Sequence, residues 1–138
     1  MRKKIDSNRR TLIMGGAAAL ATGLLPRFGF AADPVKVGLI LPMSGPFTST
    51  GRQIETAVRL YQLKHGDSVA GRKVEILLKD DGGVMPDVTK RLATELVTKE
   101  HVQILAGFGL TPLALATAPV ATQAKTPMIV MADRKSVV

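Results

Sequence analysis

The stretch Val35-Lys36-Val37-Gly38-Leu39-Ile40-Leu41-Pro42-Met43-Ser44-Gly45-Pro46 decides the fold class. Val35–Leu41 is short, rich in β-branched residues and almost continuously apolar. Apolar side chains at successive positions mark a strand covered on both faces, as in a parallel sheet. Pro42 ends the run, a loop of hydroxyl and glycine residues leads to Gly51, and a helical pattern follows.

Outward from this segment the same alternation repeats. Further apolar runs occupy Lys73–Lys79, Val102–Ala106 and Pro127–Met131. Their spacing suits helical crossovers and is too long for hairpins. Between them, Ser49–His65 places Ile54, Ala57, Val58 and Tyr61 on one helical face. Pro86–Glu100 does the same with Val88, Leu92, Ala93, Leu96 and Val97. Pro86 suits a first helical turn, with Asp87 beside it to meet the helix dipole. Thr111–Ala124 is apolar nearly all round, which predicts burial on several sides, and Pro119 inside it predicts a kink or restart. The order β-α-β-α-β-α-β defines an α/β fold with a parallel, Rossmann-like sheet. Right-handed crossovers favour the flavodoxin-like strand order 2-1-3-4.

The chain has 138 residues, no Cys and a formal net charge of +8. Without Cys there is no disulfide frame, thiolate metal site, cysteine nucleophile or lipid anchor. The charge is concentrated in residues 1–31, where Arg2, Lys3, Lys4, Arg9, Arg10 and Arg27 face only Asp6. That segment reads as a cleaved export signal: a basic start, the apolar run Leu12–Leu25, and small residues Gly29 and Ala31 before the cut. Arg9-Arg10-Thr11-Leu12-Ile13 is similar to a twin-arginine core, which implies the twin-arginine export machinery as a partner. Residues 32–138 form the exported part. One Tyr, four Phe and no Trp offer little stacking surface, and the remaining charge is mixed, so nucleic acid is not an expected partner.

In an open parallel sheet, ligands bind beyond the carboxyl ends of the strands where the winding reverses. For order 2-1-3-4 that point lies between the first and third strands. The loops facing it are Pro42–Gly51 and Gly107–Pro112. The first runs into a helix N-terminus, which favours an anion such as a carboxylate. It is neither a P-loop, since Arg52-Gln53 stands where Lys-Ser/Thr belongs, nor a nucleophile elbow, since Pro42 and Pro46 flank Ser44. Its structural alternative is a plain turn with Ser49 or Thr50 as N-cap. In the second loop, Thr111 can cap a helix or meet a ligand, and Phe108 can wall a pocket or cover the sheet. Asp80-Asp81-Gly82-Gly83 reads as a solvated turn, away from the switch point. His65 and His101 sit near helix C-termini in structural or solvent roles. No catalytic set, metal cluster or cofactor follows from these residues.

With these motifs in place, Val35–Pro46 followed by Thr50-Gly51-Arg52-Gln53 resembles the start of mature ABC-transporter substrate-binding proteins of the branched-chain amino acid (Leu/Ile/Val-binding) type. Gly71–Glu75 leading to Asp80-Asp81 is similar to their second strand. Gly107–Thr111 with Ala116–Ala121 is similar to their third strand and helix. The resemblance implies a periplasmic binding protein of type I, with two lobes clamping a small ligand and docking on an ABC permease. It implies ligand contacts at Ser44, Phe47, Phe108, Gly109 and Thr111, no enzymatic activity and a periplasmic location. From Asp133 the sequence departs from the family's pattern, so residues 32–138 are expected to be a first lobe cut short near residue 132. The alternative is an exported dinucleotide-dependent oxidoreductase, supported by Gly107-Phe108-Gly109 and Asp133 and weakened by Pro112 where a third Gly belongs. A phospho-receiver of the same winding would need acids where Pro42-Met43-Ser44 stands.

Overall fold

The structure, a computed structural model, describes residues 33–83 and 85–131. The expected export signal in residues 1–31 and the atypical residues 133–138 lie outside the described residues. The elements are β1 (Val35–Leu41), α1 (Thr48–His65), β2 (Ser68–Val69), β3 (Arg72–Asp80), α2 (Pro86–Thr98), β4 (Ile104–Gly107), α3 (Thr111–Gln123) and β5 (Met128–Val130). The sheet order is β2-β3-β1-β4-β5. All pairings are parallel except β2 with β3. The four expected strands therefore stand in the expected order, and β2 adds an edge hairpin.

That hairpin is the one element the sequence pattern did not announce. Its turn places Ala70 at φ 51° and Gly71 at φ 77°. Positive φ at both central residues is the tight-hairpin geometry, normally signalled by Asn-Gly or Asp-Gly. Here Ala occupies the first position, so the signal was half missing.

The two faces of the sheet are covered differently. Ile40, Leu105 and Phe108 join Ala93 and Leu96 of α2 and Ala114 and Ala121 of α3 in the larger core. Leu39, Leu41 and Ala106 pack against Ile54 and Val58 of α1 on the other face. The chain thus leaves β1 by one face towards β3 and returns across it by the opposite face to β4. This places the reversal of winding between β1 and β4.

Two expectations about helix burial are corrected. Tyr61 was assigned to the buried face of α1, but it is 64% exposed and stacks on His65 at a ring-centroid distance of 4.5 Å. Helix α3 is buried on one face only: Leu113, Ala114, Thr117 and Ala121 point inward while Leu115 is exposed. Apolar residues all round a helix carry no periodic signal, so the sequence could not orient it. The helix also continues through Pro119 without a restart. Pro86 and Asp87 do occupy the first turn of α2, as their chemistry requires.

Candidate functional site

Strand register builds the site. Ile40 pairs with Gly107 and Leu41 with Asp80, so the loops after β1, β3 and β4 leave the sheet side by side. The first and second loops touch. A Cβ on Gly109 would lie 2.7 Å from Pro42 Cγ, so only glycine lets the Pro42 ring sit there. Gly107, at φ +111°, presses its Cα against the Ile40 carbonyl, and Phe108 N–H donates to that same oxygen at 2.8 Å. Both glycines of Gly107-x-Gly109 are thus explained by packing against β1 and its loop. A dinucleotide loop instead needs such glycines to admit a pyrophosphate.

The expected ligand residues separate into groups. Ser44 and Phe47 are exposed on the first loop, and Gly109 and Thr111 are partly exposed on the second. The register brings these two loops together. Phe108 is different: its side chain is fully buried in the larger core. Of the two roles open to it, the ring takes that of covering the sheet, on a backbone of φ 65°. Phe47 takes the N-cap position of α1, with no side-chain cap; neither Ser49 nor Thr50 is the cap. Thr48 hydroxyl instead donates to the Gly45 carbonyl at 2.6 Å.

The residue the sequence reading underrated is Asp80. Its Oδ1 accepts N–H bonds from Met43 at 2.9 Å, Ser44 at 3.2 Å and Gly82 at 3.0 Å. Desolvation opposes the charge, but the bonds from Gly82, Ser44 and Met43 outweigh it and hold the Asp80 carboxyl below its ordinary range. Asp81 behaves oppositely. It is fully buried, Oδ1 accepts the Gly83 N–H at 2.7 Å, and Oδ2 has no hydrogen-bond partner. Burial pushes its carboxyl up, the Gly83 bond offsets part of this, and the Asp80 charge adds to the rise. Asp81 is therefore not part of a solvated turn, whereas Asp80 is exposed. An acid closing the strand that pairs with β1 was the available signal, since its side chain can reach the neighbouring loop.

The N–H groups of Met43 and Ser44, ahead of the helix N-terminus, are taken by Asp80. A separate cleft of about 230 Å³ lies between α1 and the β2–β3 hairpin, lined by Val58, Tyr61, Val69, Val74 and Ile76 among others. None of the expected ligand residues lines it. Among the described residues no group of His, Asp or Glu could hold a metal ion.

A largely parallel sheet with two touching loops at its winding reversal is the architecture of a ligand-binding lobe, and no catalytic constellation accompanies it among the described residues. Comparison with known proteins agrees. Residues 34–136 match the periplasmic binding protein family, and the chain belongs to it. It is 43% identical over 113 residues to Leu/Ile/Val-binding protein homolog 6 of Brucella abortus, covering 82% of this chain and 29% of that protein. A solute binding protein of an ABC transporter from Rhodopseudomonas palustris BisB5, solved with 3,4-dihydroxybenzoic acid, is 60% identical with a TM-score of 0.69. That match covers 72% of this chain and 27% of that one. A leucine binding protein from Thermotoga maritima shares 29% identity and a TM-score of 0.68, over 73% of this chain and 28% of its own. The chain thus spans under a third of the length of these relatives.

Proposed function

We propose that this chain is the first-lobe portion of an extracytoplasmic solute receptor serving an ABC importer, with a small aromatic carboxylate as its preferred ligand. The observation that carries the reading is the contact of Gly109 with Pro42, which joins two ligand-facing loops at the winding reversal. The choice of an aromatic acid is supported by the 60% identity to the dihydroxybenzoate-bound protein. A branched-chain amino acid is the second reading, favoured by likeness to the Leu/Ile/Val-binding homologue. In either case Ser44, Phe47, Gly109 and Thr111 are the proposed contacts, and the N-terminus of α3 favours the ligand carboxylate. Phe108 supports them from the core. Residues 1–31, with Arg9-Arg10, direct periplasmic export by the twin-arginine route, and the receptor delivers its ligand to a membrane permease. The function is binding without chemistry.

Titration calorimetry of the 138-residue chain with 4-hydroxybenzoate, 3,4-dihydroxybenzoate, leucine and isoleucine tests the proposal. Saturable heat with a hydroxybenzoate supports it; heat with leucine alone selects the second reading. Thr111→Ala should weaken the binding by about 1 kcal/mol if its hydroxyl meets the ligand. Retention of export by an Arg9→Lys, Arg10→Lys double variant would refute the twin-arginine assignment.

A further inference from the structure

We propose that Asp80 is a positioning residue that sets the polarity of the first loop, so that this loop receives the hydrogen-bond-donating end of the ligand. The inference rests on the solute-receptor reading. Its basis is the three N–H bonds of Met43, Ser44 and Gly82 converging on one carboxylate oxygen.

An ionised carboxylate only accepts hydrogen bonds. It therefore takes up the Met43 and Ser44 N–H donors instead of leaving them for a ligand. The charge of Asp80 lies directly behind, and the loop Pro42–Gly51 has no ionisable side chain to offset it. Lys79, the preceding residue, is turned away and pairs with Glu95 at 3.2 Å. Asp81, the following one, is a buried acid and adds no positive charge. The first loop thus repels a ligand carboxylate and suits a phenolic O–H or an ammonium group. The two ends of a hydroxybenzoate, or of an amino acid, are thereby told apart.

The test uses the 138-residue chain with Asp80→Asn and Asp80→Ala variants. In wild type, the amide resonances of Met43, Ser44 and Gly82 should follow one shared titration with a midpoint below about 3.9, the ordinary value for Asp. Asp80→Asn keeps an acceptor, so these amides should hold near their neutral-pH positions without titrating. In Asp80→Ala they should move together. Binding of 4-hydroxybenzoate and of benzoate is then compared. Wild type should prefer the hydroxylated probe by about five-fold, the effect of one net hydrogen bond, and Asp80→Ala should lose that preference. Met43 and Ser44 amides that ignore the titration followed by Gly82 would overturn the positioning role, whether or not the alanine variant folds. An unchanged probe ratio in Asp80→Ala would overturn the polarity claim. Failure of wild type to bind either probe would overturn the aromatic-acid reading and the polarity claim with it, while the amide titration decides the positioning role independently.

Discussion

Replacing Gly107 by alanine should destabilise the lobe more than any other single-methyl addition at its loops. Two costs combine. At φ +111° an L side chain is strained, by about 1–3 kcal/mol. The added Cβ would also lie 2.9 Å from the Ile40 carbonyl carbon and closer still to its oxygen, so β4 must move off β1. That movement weakens the 2.8 Å bond from Phe108 N–H to Ile40 O, worth about 1 kcal/mol. The sum is about 3 kcal/mol, against a total stability of about 5–15 kcal/mol for a domain of this size. At about 4–8 °C per kcal/mol, the melting temperature should fall by at least about 10 °C. Circular dichroism melts and urea midpoints measure this. The control is Gly71→Ala, at φ +77° in open space, which should cost only about 1 kcal/mol. If Gly107→Ala melted within about 2 °C of wild type, the glycine would not be needed for packing on β1, and the reasoning would be refuted.

Leu96→Ala should cost about 2–5 kcal/mol in urea denaturation, because the side chain is fully buried against β1 and α3, whereas Leu115→Ala on the exposed side of α3 should cost under about 0.5 kcal/mol. Glu95 has its carboxyl lowered by the hydrogen bond and charge of Lys79. Its contribution to stability is present above the unfolded-state value and lost as pH falls through the folded one, so Glu95→Gln should flatten the acid limb of a stability–pH curve. Asp81 has the opposite sign. Its folded-state value is raised chiefly by burial, so stability should fall as pH rises from the unfolded to the folded value, and Asp81→Asn should remove that fall.

Much of this fold was legible because its strands and two of its helices carry strong periodic signals. The run Val35–Leu41 and the stripe through Leu92, Ala93 and Leu96 admit one reading each, and handedness then orders the strands. The β2–β3 turn was not legible, since Ala70 adopts a positive φ that its chemistry does not advertise. The exposure of Tyr61 is not legible, because helical spacing alone does not show how far the cover of the sheet extends along α1.

The site was legible as loops and less so as residues. Strand order points to Pro42–Gly51 and Gly107–Pro112 without any side-chain detail. The burial of Phe108 is not legible, because an aromatic residue in a glycine loop gives no sign of which way its backbone will turn it. Asp80 was set aside because a loop on a neighbouring strand was treated as remote. In a parallel sheet a strand's last side chain lies within hydrogen-bond reach of the next loop, as the 2.9 Å bond from Met43 N–H to Asp80 shows.

The most direct test of the assignment as an aromatic-acid receptor is to map amide shift changes on the 138-residue chain as 4-hydroxybenzoate is added. Saturable changes confined to residues 43–47 and 108–111 are the predicted result. Changes centred instead on the Val58, Tyr61 and Val69 cleft, or none at any concentration, would contradict it.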